Sequence, residues 1–220
     1  GYYAKAIFYR QLLEYKKNRL FIFSVRSFLF LVGGIILYFL SHDIGFMRDI
    51  MHVRLFIIPI IITYFITFFG VMRSKWMKEL QNYYTFLLPD SKIQKTWNAT
   101  KIEHIRAFVD TMLIAIIGGA ALDLSPLHII LTGLVGVSVN ASRIYINMMV
   151  QTIISPAIGD FKIFVQFIDM FLMLISTAAS VFVAVVSMVF FNNTEAAFLG
   201  MIITSCMMAI IAFFLSSLAF

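Results

Sequence analysis

The apolar residues of this chain fall into long, nearly unbroken runs separated by polar links. A bilayer hydrocarbon core of ~30 Å is crossed by about 20 apolar residues in helix, and fewer suffice when flanking side chains snorkel to the interface. Six runs meet that length, roughly at 21–40, 55–72, 105–122, 127–150, 164–191 and 196–220. The third and fourth are separated only by DLSP and the fifth and sixth only by NNTE, links short enough to make tight antiparallel pairs. A membrane barrel would instead show segments of about ten residues with strict alternation, which these runs lack. The expected fold class is all-α: a single polytopic transmembrane domain over 1–220 with six transmembrane helices.

Two stretches outside the runs are also periodic. Ahead of the first, Ala4, Phe8, Leu12 and Tyr15 share one helical stripe with Arg10, Glu14 and Lys17 mostly opposite, which predicts an N-terminal interfacial helix over 1–20. After the second, Met77, Leu80, Tyr84, Leu87 and Leu88 keep helical spacing, so the second span is expected to continue until Pro89 stops it. Ser91 with Gln94 and Thr100 with Glu103 both fit the capping-box spacing, predicting a short separate helix over Lys92 to Asn98 that carries Ile93 and Trp97 on one side. Held between two membrane helices, such an element is either a docking helix that passes rigid-body motion from a soluble partner or a connector whose Trp97 rests at the membrane surface.

Charge supplies the orientation. Of the 17 basic residues, all but Arg48, Arg54 and Arg143 lie in the N-terminal stretch, in the loop from Arg73 to Arg106, or at Lys162. Basic residues accumulate in cytoplasmic loops, so both termini and the 73–104 segment are expected on the cytoplasmic side of a multi-pass cell-membrane protein. The net charge of +6 then reads as a topology signal and an attraction to anionic membrane lipid, and no nucleic-acid partner is expected. Composition agrees: at 61% hydrophobic and 13% charged residues, there is too little polar surface to face water all round. The one cysteine, Cys206, excludes a disulfide framework. A chain that begins without Met and ends on Phe220 inside an apolar run is expected to be a piece of a longer protein.

An ionisable group at membrane depth costs roughly 2.5–3.5 kcal/mol on translocon scales, so each one needs a reason. In the fourth run Gly133, Gly136, Asn140, Arg143, Asn147 and Gln151 follow three- and four-residue steps on one face, and in the fifth Asp169, Ser176, Ser180 and Ser187 do the same. Both stripes should face protein or a watery cavity, either lining a translocation path or serving as helix-packing seams. Arg143 and Asp169 fall toward the same end of their spans, so they could pair. No HExxH or GxSxG occurs, and no catalytic residues are assigned. His42, Asp43, Asp49 and His52 share a loop that reads as solvated rather than as a metal site, and His104 and His128 are expected at the surface near span ends.

The order of an interfacial helix, two spans, a cytoplasmic helical loop and four more spans resembles the membrane subunit of an ABC-2 type ABC exporter. More narrowly, AKAIFYRQLLEYKKNR and the later KELQNYYTFLLPDSKIQKTW look like the bacterial putative ABC exporter family, found mainly in Firmicutes. The resemblance implies a permease that moves a hydrophobic or amphipathic substrate, such as a peptide or lipid, outward. It implies an ABC-type ATPase partner holding the ATP and Mg, a homodimer or pseudo-dimer of transmembrane domains, and no cofactor in this chain. It places ATPase coupling on Leu87, Leu88, Pro89, Asp90, Ser91, Lys92, Ile93 and Trp97. The residues themselves agree on one point: no GxxxxGK[ST] phosphate loop is present. One departure is the brevity of NNTE, where many exporters of the broader class carry a larger re-entrant element. The alternatives from other classes are a membrane-embedded enzyme and a non-transporting assembly or immunity subunit.

Overall fold

The computed structural model describes residues 3–17, 28, 31–33, 35–36, 55–56, 58–63, 75–80, 82–158 and 161–219, and among them all regular structure is helical. In chain order these are α1 (Lys5–Lys17), α2 (Lys75–Leu80), α3 (Tyr83–Leu87), α4 (Lys92–Ala121), α5 (Pro126–Met149), a π-helical segment (Val150–Ile154), α6 (Ser155–Ile158), α7 (Lys162–Phe191) and α8 (Thr194–Ala219). Four helices are long and apolar enough to cross a membrane, those over 92–121, 126–157, 163–191 and 194–218. Most of the expected first span, half of the second, and the loop carrying His42, Asp43, Asp49 and His52 lie outside the described residues.

The helix boundaries follow local chemistry. Ser91 and Ser125 cap α4 and α5, each hydroxyl accepting a backbone N–H three residues on, from Gln94 and His128 at 3.4 Å. Pro126 opens α5 at the position where a missing N–H does no harm. The two tight links turn through left-handed residues, Asp123 at φ 50° and Asn192 at φ 47°, the residue types that tolerate that conformation best after glycine.

Two expectations about the 73–104 segment are corrected. The helix over Lys92–Asn98 is not separate: α4 runs unbroken for 30 residues. Thr100 does not start a second helix; its hydroxyl donates to the Thr96 carbonyl at 3.1 Å, mid-helix. The reason is that no Gly or Pro interrupts the chain between Lys92 and Ile117, and a capping-box pattern inside an uninterrupted helix-forming run does not terminate the helix before it. The continuation up to Pro89 is likewise broken into α2 and α3, because Asn82 adopts extended backbone (φ −69°, ψ 130°). The amide N–H of Asn82 bonds back to Glu79, and Thr85 Oγ1 donates to the Glu79 carbonyl at 2.6 Å, a local alternative to the helical ladder. Leu88 is extended because Pro89 follows it.

The bundle is built around α5, whose most apolar stretch is 72% buried against 22–33% for the other three long helices. Helices α4, α7 and α8 surround it, with α8 lying along α5 over most of its length. A layer at one end joins Leu131, Val135 and Val139 to Phe198 and Met201 of α8. At the other end Tyr145 and Met148 of α5 and Val165 of α7 meet Ile7 of α1, Trp76 and Leu80 of α2 and Ala99 of α4. The same cluster therefore belongs both to the membrane bundle and to the small helices before α4. Where α4 crosses α5, a Cβ on Gly136 would lie 2.7 Å from Thr111 and 2.9 Å from Ile62, so only glycine permits that approach.

Candidate functional site

Helix α4 fixes the geometry. At 1.5 Å per residue its 30 residues span about 45 Å, which exceeds a ~30 Å bilayer core by about ten residues. The apolar stretch 105–122 supplies the membrane part, so the excess falls at the N-terminal end, on the residues from Lys92 onward. At that end α1 and α2 pack against α4, with α3 beside α2, and form a platform.

Specific polar contacts hold α1 on it. Gln11, 1% exposed, donates from Nε2 to the Ala99 carbonyl at 3.0 Å, and the Ala4 backbone N–H donates to the Asp90 carboxylate. Arg106 Nη1 donates to the Tyr15 hydroxyl at 2.9 Å with its guanidinium over the same ring, and Lys101 sits over the Phe8 ring. Burial pushes the Tyr15 phenol above its ordinary value and Arg106 works against that shift. The buried face of α1 is Ala4, Ile7, Gln11 and Tyr15, rotated by about one residue from the stripe through Phe8 and Leu12, which are half-buried. A polar Gln at the centre of the face hid it from hydropathy.

Glu79 anchors the other side of the platform. Its carboxylate is buried, accepts from the Tyr84 hydroxyl at 2.7 Å, and faces Arg10 Nε at 3.7 Å, while Arg10 also lies over the Tyr84 ring. Burial first and the Glu79 hydrogen bond second hold the Tyr84 phenol above its ordinary value, so it stays a donor. A hydrogen bond to a charged group contributes about 1.5–3 kcal/mol, and every 1.4 kcal/mol is about tenfold in an opening equilibrium. Glu79→Ala is therefore expected to speed limited tryptic cleavage at the exposed Lys16 and Lys17 by about tenfold or more, with Glu79→Gln in between. Equal cleavage rates in all three proteins would show that this contact does not hold α1.

The residues named for coupling form the outer rim of the platform. Leu87 is 67% exposed, Ile93 45% and Trp97 49%, and Pro89, Ser91 and Lys92 are exposed beside them. Leu88 and Asp90 turn inward, Leu88 against the shared core and Asp90 onto α1. Lys92 Nζ donates to the Leu218 carbonyl near the end of α8 at 3.5 Å.

The polar stripes of α5 and α7 are largely buried in the bundle. Asn140, Arg143, Asp169, Ser176 and Ser180 are all buried, Asn147, Gln151 and Ser187 half-buried. Ser142 and Ser176 join α5 to α7 at 3.0 Å, and Ser180 and Ser205 join α7 to α8 at 3.0 Å. Asp169 accepts a hydrogen bond from Asn147 Nδ2 at 2.7 Å, a partner that the spacing of the two stripes did not single out. The Arg143 charge is close enough to act on the carboxylate through space. Gln151 lies in the π-helical segment, where the Ser155 N–H bonds to the Val150 carbonyl. Pro156 explains that widened turn, since it lacks an N–H and its ring collides with the carbonyl four residues back.

A family model described as Putative ABC exporter matches residues 1–220. The chain belongs to this exporter family. It is a membrane protein of a transport family, and membership in an ABC exporter family implies in general an ATPase partner. No curated protein and no solved structure matches it.

Sequence reasoning about this exporter-family chain missed His104 and Tyr145. His104 was expected at the surface, yet it is half-buried, with Nε2 2.8 Å from the Tyr145 hydroxyl and its ring stacked on Trp97 at 5.7 Å. The available signal was spacing: His104 lies seven residues after Trp97, two helical turns along one face, but only if the helix runs through Asn98 unbroken. His128 behaves more nearly as expected, at the start of α5, where its Nδ1 lies 2.7 Å from the capping hydroxyl of Ser125.

Proposed function

We propose that this chain is the permease subunit of an ATP-driven exporter, with six spans and with both termini and the 73–104 segment in the cytoplasm. A separate ABC-type ATPase docks on the rim from Leu87 to Trp97, and the chain moves a hydrophobic or amphipathic substrate, a peptide or a lipid, outward through a path along the buried polar faces of α5 and α7. The observation that carries this reading is the exposure of Leu87, Ile93 and Trp97 at the protruding end of a helix that continues without a break into the membrane bundle. Large apolar side chains left in water are the usual anchors of a protein contact. A continuous helix transmits a push at that end as rigid-body motion. The apolar composition of the bundle, with the polar stripes of α5 and α7 largely buried, fits amphipathic cargo better than ions.

Co-purification tests the docking. Ile93→Ala combined with Trp97→Ala is expected to lower the amount of ATPase recovered with the tagged, membrane-inserted chain by at least tenfold, because truncating central apolar anchors costs about 2 kcal/mol or more each. Unchanged recovery would reduce the segment to a connector. Orientation is tested in the same cells: with Cys206→Ser as background, a cysteine at the exposed position Gln94 should be untouched by an impermeant maleimide added outside, and labelling there would overturn the topology.

A further inference from the structure

We propose that His104 is a positioning residue that couples the docking rim to α5: the stack of Trp97 on His104 and the hydrogen bond between His104 and Tyr145 carry displacement of the rim into the centre of the bundle. The inference rests on the docking reading above and adds the route by which docking acts. Trp97 is half-exposed on the rim, whereas Tyr145 is buried in α5. His104 bridges that gap in depth side chain to side chain, with its ring 5.7 Å from the Trp97 ring and its Nε2 2.8 Å from the Tyr145 hydroxyl. Thr100 on the same face of α4 adds a longer contact to that hydroxyl at 3.4 Å. On the far side the Tyr145 ring meets Phe213 of α8 edge-on at 4.9 Å, so one phenol of α5 touches two further helices, α4 and α8.

Two features make this contact a transmitter rather than general packing. Farther along, α4 meets α5 at Gly133 and Gly136, where a glycine surface against Met112 and Thr111 offers contact without a directional bond. A hydrogen bond at 2.8 Å, by contrast, resists sliding and rotation of one helix on the other. Asn147 follows Tyr145 by two residues, about 200° around a helix of 3.6 residues per turn, and reaches Asp169 of α7 at 2.7 Å. A displacement of Tyr145 therefore moves the polar face of α5 relative to α7, because the helix turns as a body.

The test uses the membrane complex purified with its ATPase, in a Cys206→Ser background with spin labels on cysteines at the lipid-facing positions Leu134 of α5 and Phe182 of α7, both exposed. The inter-label distance is measured by pulsed electron resonance without nucleotide and with ADP plus vanadate. The parent complex is expected to show a nucleotide-driven distance change. His104→Ala and Tyr145→Phe should each abolish it while retaining the ATPase at the parent ratio, and His104→Gln, whose amide can still bond the phenol, should restore at least half. Tyr145→Phe removes a single hydroxyl, which guards against misfolding as the explanation. A full distance change in both His104→Ala and Tyr145→Phe overturns the proposal, as does a parent complex whose labels do not move. Loss of the ATPase from these two variants overturns it differently, by making the pair part of the docking contact. If Ile93→Ala with Trp97→Ala keeps both the ATPase and the full change, the docking reading falls, whatever the outcome at His104.

Discussion

Gly136→Leu is expected to prevent assembly of the bundle, giving little or no monodisperse protein after detergent extraction. A Cβ at this position would lie 2.7 Å from Thr111 Cγ2 and 2.9 Å from Ile62 Cγ2. Neither neighbour can yield: both are β-branched and buried, and the Thr111 hydroxyl is committed to the Ala107 carbonyl at 2.7 Å. Overpacking by a single methylene or two costs about 1–3 kcal/mol, and a whole leucine side chain in this seam exceeds that range. Gly133→Ala is the control. Its Cβ would meet the Sδ of Met112, the flexible end of an unbranched side chain that can swing aside, so a near-parental Tm is expected. Fluorescence-detected size exclusion with a thermal ramp measures both. A Gly136→Leu protein melting within about 2 °C of the parent would mean that α4 and α5 do not approach as described.

The second large effect concerns the buried carboxyl of α7. Asp169→Asn is expected to raise the Tm or leave it unchanged, whereas Asn147→Ala should lower it. Asp169 is buried at membrane depth, with one oxygen bonded by Asn147 and the other, Oδ1, without a hydrogen-bond partner. A charged Asp costs roughly 2.5–3.5 kcal/mol at the bilayer centre and less toward the span end where Asp169 lies, and the isosteric amide removes that penalty while keeping the shape. Asn147→Ala removes one hydrogen-bond donor from the buried carboxyl, a loss of about 0.6 kcal/mol on average for interhelical bonds in membranes and up to ~1.7. Combining the two changes should recover most of the loss, since the group left at position 169 is then neutral. If Asp169→Asn instead destabilises as much as Asn147→Ala, the charge itself is stabilising, and the nearby Arg143 is its counter-ion. If Asp169→Asn also abolishes the nucleotide-driven motion without lowering Tm, the carboxylate is retained for the transport cycle rather than for the fold.

Much of this could be read directly from the chain. The four C-terminal spans were legible because hydrophobic runs of that length have one outcome in lipid, where every backbone group must bond within its own segment. Ser91 started its helix where its capping spacing said it would, and the short NNTE link separates α7 from α8. Asn140, Arg143, Asp169, Ser176 and Ser180 were expected inside from spacing alone, and they are buried because facing lipid with such groups costs more than packing them.

What depended on tertiary structure was the choice among partners. Sequence spacing pointed to Arg143 as the neighbour of Asp169, and the relative rotation of α5 and α7 also brings Asn147 to the carboxylate. Thr100 and Glu103 carried a valid start signal that the uninterrupted helix around them overrode. Gln11, Glu79, His104 and Tyr145 are polar or ambivalent residues whose partners lie 88, 5 and 41 positions away, and only the last turns of packing bring those groups within hydrogen-bond reach. Local periodicity determines which face of a helix is apolar, because that depends on the helix alone. Which polar group meets which depends on the offset and rotation between helices, and those are set by where glycines such as Gly136 allow close approach and where prolines such as Pro156 change the turn.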